Sequence, residues 1–255
     1  MHIDLNSCFA SVEQQANPLL RDKPVAVVHT NAPYGCILAP SVEAKLYGVK
    51  TGMTLAEGQL LCPYLIPREA DPSKYRTVHR QIGELLNEYS DRVISKSIDE
   101  FCLPLRSLYG VGGPAPQQIS QSIKSRIKSD IGDSLRVSIG VSTNQNLAKL
   151  ASGLHKPNGF DIIDHGNFVD VYRKIKLQDF CGINVRNEIR LHRVGIFTPL
   201  QFYQASLPTL KLAFQSVLGR YWHTRLRGYE VDDVTFARRS FGQSYVLPRP
   251  MSYKE

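Results

Sequence analysis

Ser97-Ile98-Asp99-Glu100-Phe101 sets two neighbouring carboxylates inside an apolar-rich run, residues 93–105, that reads as a strand. Successive strand residues face opposite sides of a sheet, so one of the two carboxylates would point into the core. A carboxylate stranded there is costly, and a metal or a strand end at a cleft is the usual relief. Asp4 raises the same question in the first strand candidate, residues 2–6, and Glu13 follows in a helix predicted over 7–16. If the two strands are neighbours, two or three carboxylates converge at one end of a sheet as hard oxygen ligands. Mg²⁺ suits such a set, because it takes a few carboxylates plus substrate phosphates rather than a complete protein cage. Two such ions about 3.5–4 Å apart activate an attacking hydroxyl and stabilise a phosphoryl leaving group. The same residues also read as surface aspartates at strand ends, with Asp99 capping a turn.

Working outward, residues 24–29 and 135–142 are further strand candidates, and 160–163 is a return strand after the turn at Pro157-Asn158-Gly159. Helices are predicted over 72–90, 115–131 and 144–154. The first opens on Asp71-Pro72 and carries Val78, Ile82, Leu85, Leu86 and Tyr89 on one face. The result is an α+β sheet layered with helices. Between about 30 and 67, prolines and glycines break the pattern, which fits a small projecting insert with one short helix near 41–47. Residues 107–116 read as a plain loop. From about 170 the texture changes to short helical pieces over 171–178, 184–193, 199–204, 207–218 and 219–228. Residues 229–255 lose periodicity and read as a linker toward a further domain, or as a ragged terminus.

Other residues supply what a metal-bound triphosphate needs. The turn at Asn6-Ser7-Cys8-Phe9 offers backbone N–H groups to phosphate oxygens, and Lys45 and Lys156 add cations from opposite sides. No Gly-x-x-x-x-Gly-Lys-Ser/Thr loop and no Gly-x-Gly-x-x-Gly occurs, so a P-loop ATPase or a dinucleotide enzyme finds no support. The formal charge is +8, and its distribution is uneven. Residues 1–170 hold 17 basic and 17 acidic side chains, whereas 171–255 hold 14 and 6. That is a neutral body followed by a basic clamp, or by a solvated helical face with spare arginines. Five cysteines, none in a Cys-x-x-Cys pair, fit neither a zinc site nor a disulfide framework and point to a reducing cytoplasm. No apolar stretch reaches membrane-spanning length.

Five segments in order carry a resemblance: Asp4-Leu-Asn-Ser-Cys-Phe-Ala-Ser-Val-Glu13, Glu43-Ala-Lys-Leu-Tyr-Gly-Val-Lys-Thr-Gly52, Ser97-Ile-Asp-Glu-Phe101, Ser138-Ile-Gly-Val-Ser142, and Leu147-Ala-Lys-Leu-Ala151 through Lys156-Pro-Asn-Gly159. Over about residues 1–240 the chain resembles the Y-family translesion DNA polymerases, the group of DinB-like and UmuC-like enzymes. The resemblance implies a right-hand polymerase core. Its mixed, mainly antiparallel sheet would be the palm over 1–29 and 68–166, with small fingers over 30–67, an all-helical thumb over 167–232 and a linker over 233–255. It implies that Asp4, Asp99 and Glu100 bind two Mg²⁺ ions with help from the Leu5 carbonyl. Phe9 would be the steric gate against a ribose 2′-hydroxyl. Cys8 and Phe9 would give backbone N–H groups to the triphosphate, Lys45 and Lys156 would hold its phosphates, and Ser97 would lie beside the primer end. The partners implied are primer–template DNA and an incoming dNTP, with the protein a cytoplasmic monomer.

Some positions depart from the family pattern. Val42-Glu43-Ala44-Lys45 stands where the family commonly has Tyr-Glu-Ala-Arg, removing a hydroxyl donor and replacing a planar fork by a point charge. Cys181-Gly182-Ile183-Asn184 stands for the thumb's usual Pro-Gly-Ile-Gly turn. After the linker-like Arg238–Tyr245 segment only ten residues follow, so the little finger domain, with its neighbouring sliding-clamp contact, is expected to be absent. The competing expectations are a non-catalytic repair scaffold with the polymerase fold, and a phosphohydrolase or nucleotidyl cyclase on a similar sheet.

Overall fold

The computed structural model describes residues 1–105, 115–233 and 240–242. In chain order the first elements are β1 (His2–Leu5), α1 (Cys8–Ala16), β2 (Val25–Val28), β3 (Ile37–Pro40), α2 (Val42–Leu46), α3 (Leu55–Leu61) and β4 (Ile66–Glu69). Next come α4 (Pro72–Leu86), β5 (Ile94–Ser95), β6 (Glu100–Cys102), α5 (Pro116–Arg126), β7 (Val137–Ser142), α6 (Gln145–Leu154) and β8 (Phe160–Ile163). The helices α7 (Phe168–Lys174), α8 (Val185–His192), α9 (Pro199–Gln204), α10 (Leu207–Phe214) and α11 (Leu218–Arg225) complete the described chain.

Strand β1 lies at the centre of a five-stranded sheet of order β5-β6-β1-β7-β8. It pairs antiparallel with β6 and β7, while β7 and β8 run parallel, so the sheet is mixed. Ile3, Leu5, Phe101, Val137 and Ile139 join α1, α4 and α5 in one apolar core. Helix α6 lies so close to the sheet that Gly140 has no room for a side chain: a β-carbon there would run into Ala148 O and Ser152 N.

The run 93–105 is not one strand. It forms a tight hairpin, with Ile94 opposite Cys102 and Ser95 opposite Phe101, and residues 96–99 make the turn. The expectation that Asp99 and Glu100 occupy a strand interior therefore fails. Asp99 sits in the turn and Glu100 opens β6, so neither carboxylate has to enter the core. Short polar residues between apolar ones look alike in a strand and in a hairpin turn, which is why the alternation misled.

Residues 24–29, a strand candidate that the resemblance assigns to the palm segment 1–29, form a strand of a second sheet. Strand β2 is the centre of a three-stranded sheet of order β3-β2-β4, antiparallel to β3 and parallel to β4. All four β2 residues are buried because Val27 faces the main core while Ala26 and Val28 face a second core with Ile37, Ala44, Leu55 and Leu65. Burial on both faces gives the unbroken apolar run. The 30–67 interval carries two helices rather than one, since α3, opened by a Thr54–Glu57 capping box, joins α2.

Helices α8 to α11 follow the spacing predicted for them, whereas α7 begins and ends three to four residues earlier than the predicted 171–178, and all five pack around Tyr172, Phe180, Phe202, Phe214 and Trp222. Their core continues into Leu147, Leu150 and Ala151 of α6, so this helix is shared between the sheet and the helical unit. The 107–116 loop is described only from residue 115, and most of the 238–245 segment lies outside the described residues. Among the described residues no helix is long and apolar enough to cross a membrane.

Candidate active site

Antiparallel register sets Asp4 directly opposite Glu100 on β6, and opposite Ser138 on β7. The hairpin turn is pinned beside them: the Leu5 N–H donates to Asp99 O at 2.9 Å. Behind the turn, His79 of α4 stacks on Phe101 with ring centroids 4.6 Å apart, and its ring nitrogens contact Ile98 O at 3.0 Å and Ser95 Oγ at 3.2 Å. Asp4 and Glu100 thus stand side by side across the β1–β6 pair, with Asp99 in the adjoining turn close enough for its charge to act on Asp4. Asp99 Oδ1 accepts from Ser97 Oγ at 2.6 Å, so the turn-capping reading of Asp99 describes a real contact as well.

Two lysines balance this charge. Lys156 Nζ lies 2.6 Å from Asp4 Oδ1, and Lys149 Nζ, on α6, lies 2.7 and 2.8 Å from the two Glu100 oxygens. Burial pushes the Asp4 carboxyl up from the ordinary range, Lys156 opposes that, and the Glu100 and Asp99 charges add to it. For Lys149, burial alone would lower the ammonium, but Glu100, with Cys181 and Asp4 adding, outweighs it and the group ends up raised. His2, two residues before Asp4 on the same face, is held neutral, its pKa lowered to about 3 by burial and then by Lys149. Its Nε2 is buried without a hydrogen-bond partner and lies 3.6 Å from Glu100 Oε2. One ligand atom from each of His2, Asp4 and Glu100 falls within 4.8 Å of the others. Sequence reasoning passed over His2 and Lys149. The signal for His2 was its spacing from Asp4, which puts both on one strand face.

Burial pushes the Cys8 thiol up to about 12, with the Asp99 and Asp4 charges adding, so it is no nucleophile. It begins α1, where the first N–H groups of a helix have no intrahelical partner. Ser7 turns the chain into that helix with φ 48°. Phe9 stacks on Tyr75 of α4 at 4.2 Å, and Tyr75 donates its hydroxyl to Glu13 at 3.1 Å. Glu13 also pairs with Lys74 at 3.1 Å, so it braces α1 against α4 and does not join the acid cluster. Lys45 stands on α2, near enough for the Lys156 and Asp4 charges to act on it. Burial lowers its ammonium, and Lys156 lowers it further while Asp4 opposes.

The carboxylates are hard oxygen ligands, and among the described residues their side-chain hydrogen bonds come from two ammonium groups and one hydroxyl. A site that already draws in two ammonium groups demands positive charge, and the residues fit a small divalent ion.

A family model described as "impB/mucB/samB family" matches residues 3–153. Among solved structures, a Y-family DNA polymerase chimera superposes with a TM-score of 0.78 at 26% identity, covering 93% of this chain and 70% of that one. The DinB structure from Sulfolobus solfataricus gives a TM-score of 0.74 at 26% identity, covering 89% and 66%. Fold and site together therefore define an enzyme, a DNA-directed DNA polymerase with a palm-type sheet. DNA polymerase IV of Bacteroides fragilis is 34% identical over 251 residues, spanning 98% of this chain and 68% of the relative. DNA polymerase IV of Staphylococcus aureus is 34% identical over 244 residues, spanning 95% and 67%. The chain belongs to the impB/mucB/samB family, the Y-family translesion DNA polymerases. It spans about two thirds of the length of these relatives.

Proposed function

We propose that this chain extends a primer 3′-end on damaged template DNA by phosphoryl transfer, with Asp4, Asp99, Glu100 and the Leu5 carbonyl holding two Mg²⁺ ions. The observation that carries this reading is the register of Asp4 against Glu100 with Asp99 fixed beside them. Bound there, Mg²⁺ lowers the pKa of the attacking hydroxyl and neutralises charge on the phosphoryl oxygens. Lys149 and Lys156 keep the carboxylates aligned before loading, so little rearrangement is needed afterwards. Lys156 then turns to the phosphates together with Lys45, and the first N–H groups of α1, at Cys8 and Phe9, point at the triphosphate. Phe9, held flat by Tyr75, stands where a 2′-hydroxyl would clash, and Ser97 borders the primer end.

In this reading the five-stranded sheet with α1, α4, α5 and α6 is the palm, over 1–29 and 68–166 apart from β2. The three-stranded sheet with α2 and α3 forms the fingers over 30–67 together with β2. Helices α7 to α11 form the thumb over 167–232, and 233–255 leads onward as linker. A basic thumb grips duplex DNA through its phosphates with little sequence preference. The protein works as a monomer on primer–template DNA and dNTP.

Asp99→Ala is the test, because Asp99 lies in a turn and its loss leaves the sheet register intact. Primer extension with Mg²⁺ should fall by about 10³-fold or more while DNA binding stays within a few-fold. Undiminished extension would sink the assignment.

A further inference from the structure

Lys156 stands in the turn 155–159, and the two residues that close this turn leave no backbone polar group unpaired. The Asn158 N–H donates to Asn6 Oδ1 at 2.7 Å and the Gly159 N–H to Ser138 Oγ at 3.2 Å, while the Ser138 hydroxyl itself donates to Asn6 Oδ1 at 3.1 Å. Gly159 O accepts from the Ile139 N–H at 3.0 Å. Lys124 Nζ, on α5, then donates to both carbonyls, to Asn158 O at 2.6 Å and to Gly159 O at 2.9 Å. Asn6, Ser138 and Lys124 reach the turn from segments far apart in the chain. The turn needs such support. Asn158 lies in the left-handed region at φ 62°, and Gly159 has no room for a side chain, since a β-carbon there would sit 2.1 Å from His155 O. A backbone in that shape persists only where its surroundings hold it.

Lys124 is the costly member of this arrangement. Burial lowers its ammonium, and the Asp161 charge opposes that. It makes no ion pair among the described residues, because Asp161 Oδ1 is taken by His155 Nδ1 at 2.7 Å. A lysine that served only solubility would turn its ammonium to water. This one is half-buried and turns it onto two neutral carbonyls of a single turn. Hydrogen bonds from a charged donor are stronger and shorter than neutral ones, so Lys124 is the firmest tie on the turn.

What the turn holds in place is Lys156, whose ammonium reaches Asp4 Oδ1 at 2.6 Å. The stem of a lysine is flexible, and any shift of the turn is carried to its tip. In the polymerase reading this ammonium leaves Asp4 when metal binds and moves to phosphate. Such an exchange keeps its aim only when the side chain rotates over a fixed backbone. We propose that Lys124 is a positioning residue for Lys156: by tying Asn158 O and Gly159 O to α5 it fixes the turn, so that the Lys156 ammonium passes between Asp4 and the incoming triphosphate by side-chain rotation alone. The inference rests on the polymerase reading and adds to it a residue from outside the acid cluster.

Two measurements test this, one of them independent of turnover. Limiting acetic anhydride labels free amines of the metal-free protein, and peptide mass spectrometry reads the fraction of Lys156 acetylated. Lys124→Met keeps the apolar stem and removes the ammonium. It should raise Lys156 labelling about threefold as the Asp4 contact loosens, because an ammonium parted from its carboxylate gives up its proton more readily. Lys124→Arg restores a charged donor and should return labelling to the parental value. Lys128→Met, the same charge change on an exposed lysine nearby, should leave it there as well. In primer extension Lys124→Met should raise KM for dNTP about tenfold with kcat within about twofold, the pattern of lost uniform binding. In a Lys156→Met background the same change should add nothing to KM, since its effect runs through Lys156. A role in folding alone would act equally in the two backgrounds. Parental labelling of Lys156 in Lys124→Met overturns the proposal, and so does an equal rise in KM in both backgrounds; where the parent extends primers, either result leaves the polymerase reading standing. Raised labelling in a protein unable to extend primers sinks that reading and leaves Lys124 as the residue that holds Lys156 in place.

Discussion

Around β1 several buried polar groups have specific partners, Asp4 in Lys156, the Asn6 Oδ1 in Ser138 and Asn158, and Glu13 in Tyr75 and Lys74, while His2 Nε2 has none. Across α7 to α11 the interior is instead aromatic. Phe180 meets Tyr172, Phe202 and Trp222 edge-to-face at 5.5 to 6.1 Å, and the one buried hydroxyl, on Tyr172, donates to Leu226 O at 3.2 Å. The whole positive surplus lies in residues 171–255, most of it on the helical unit, whereas residues 1–170 balance their own charges. Stability and electrostatics are thus divided differently in the two regions. In the sheet region, polar pairs and apolar core are interleaved, so a change to one charge alters chemistry with little effect on packing. In the helical unit, aromatic packing carries the fold and the surface charges are free to vary.

Four variants test that division, in order of expected effect. Glu100→Gln should lower kcat by about 10³-fold with a melting temperature close to that of the parent, because the Lys149 contact survives as an ordinary hydrogen bond. A large loss of stability would show that the sheet depends on this charge for its fold. Trp222→Ala should cost about 3–5 kcal/mol in denaturant unfolding, with DNA binding lost before extension of short primers. If instead both cores melt together, α6 couples the regions more tightly than their separate chemistry implies.

His2 gives the third test. Its folded-state pKa of about 3 lies below the ordinary 6.5, so the unfolded chain takes up a proton that the native protein refuses. Its contribution is complete above pH 6.5 and is lost as pH falls toward 3, roughly 2 kcal/mol by pH 5. The raised Asp4 carboxyl works in the opposite direction at the acid end. Unfolding measured from pH 7 to 5 should flatten in His2→Gln, and an unchanged slope would mean His2 is not buried neutral. The smallest effect is expected on α8, where Arg186 and Arg190 are exposed and join no ion pair among the described residues. Removing both by Ala substitution should lower the salt dependence of DNA binding by about 2 in log–log slope, with kcat unchanged. An unchanged slope would place the DNA-facing charge elsewhere on the helical unit.

Much of this molecule was readable from its chain. Helices α1, α4, α6 and α8 to α11 fall close to the spans their apolar spacing predicts, since a 3.6-residue repeat survives over two or more turns. Asp4, Asp99, Glu100, Lys45 and Lys156 were candidates from residue type and order alone. The hairpin at 94–102 was not readable, because two short strands and a turn mimic one alternating strand. Neither was the partner of β2, since an apolar run states that both faces are buried without saying by what. His2, Lys149 and His79 escaped notice because each acts through a neighbour distant in sequence.

The sequence by itself determined which groups are available: the acids and their lysines, an aromatic beside a turn, a basic final third, and helix periodicity strong enough to define most elements. Those are properties of local order, set by side-chain chemistry and by spacing along one chain. Only the tertiary structure decided that Asp4 faces Glu100, that Asp99 rests in a turn instead of a core, that Lys149 and Lys156 hold the acids, and that β2 leaves the main sheet. Such pairings depend on strand register and on close approach, as where α6 crosses Gly140, and these are settled only when distant segments compete for the same partners.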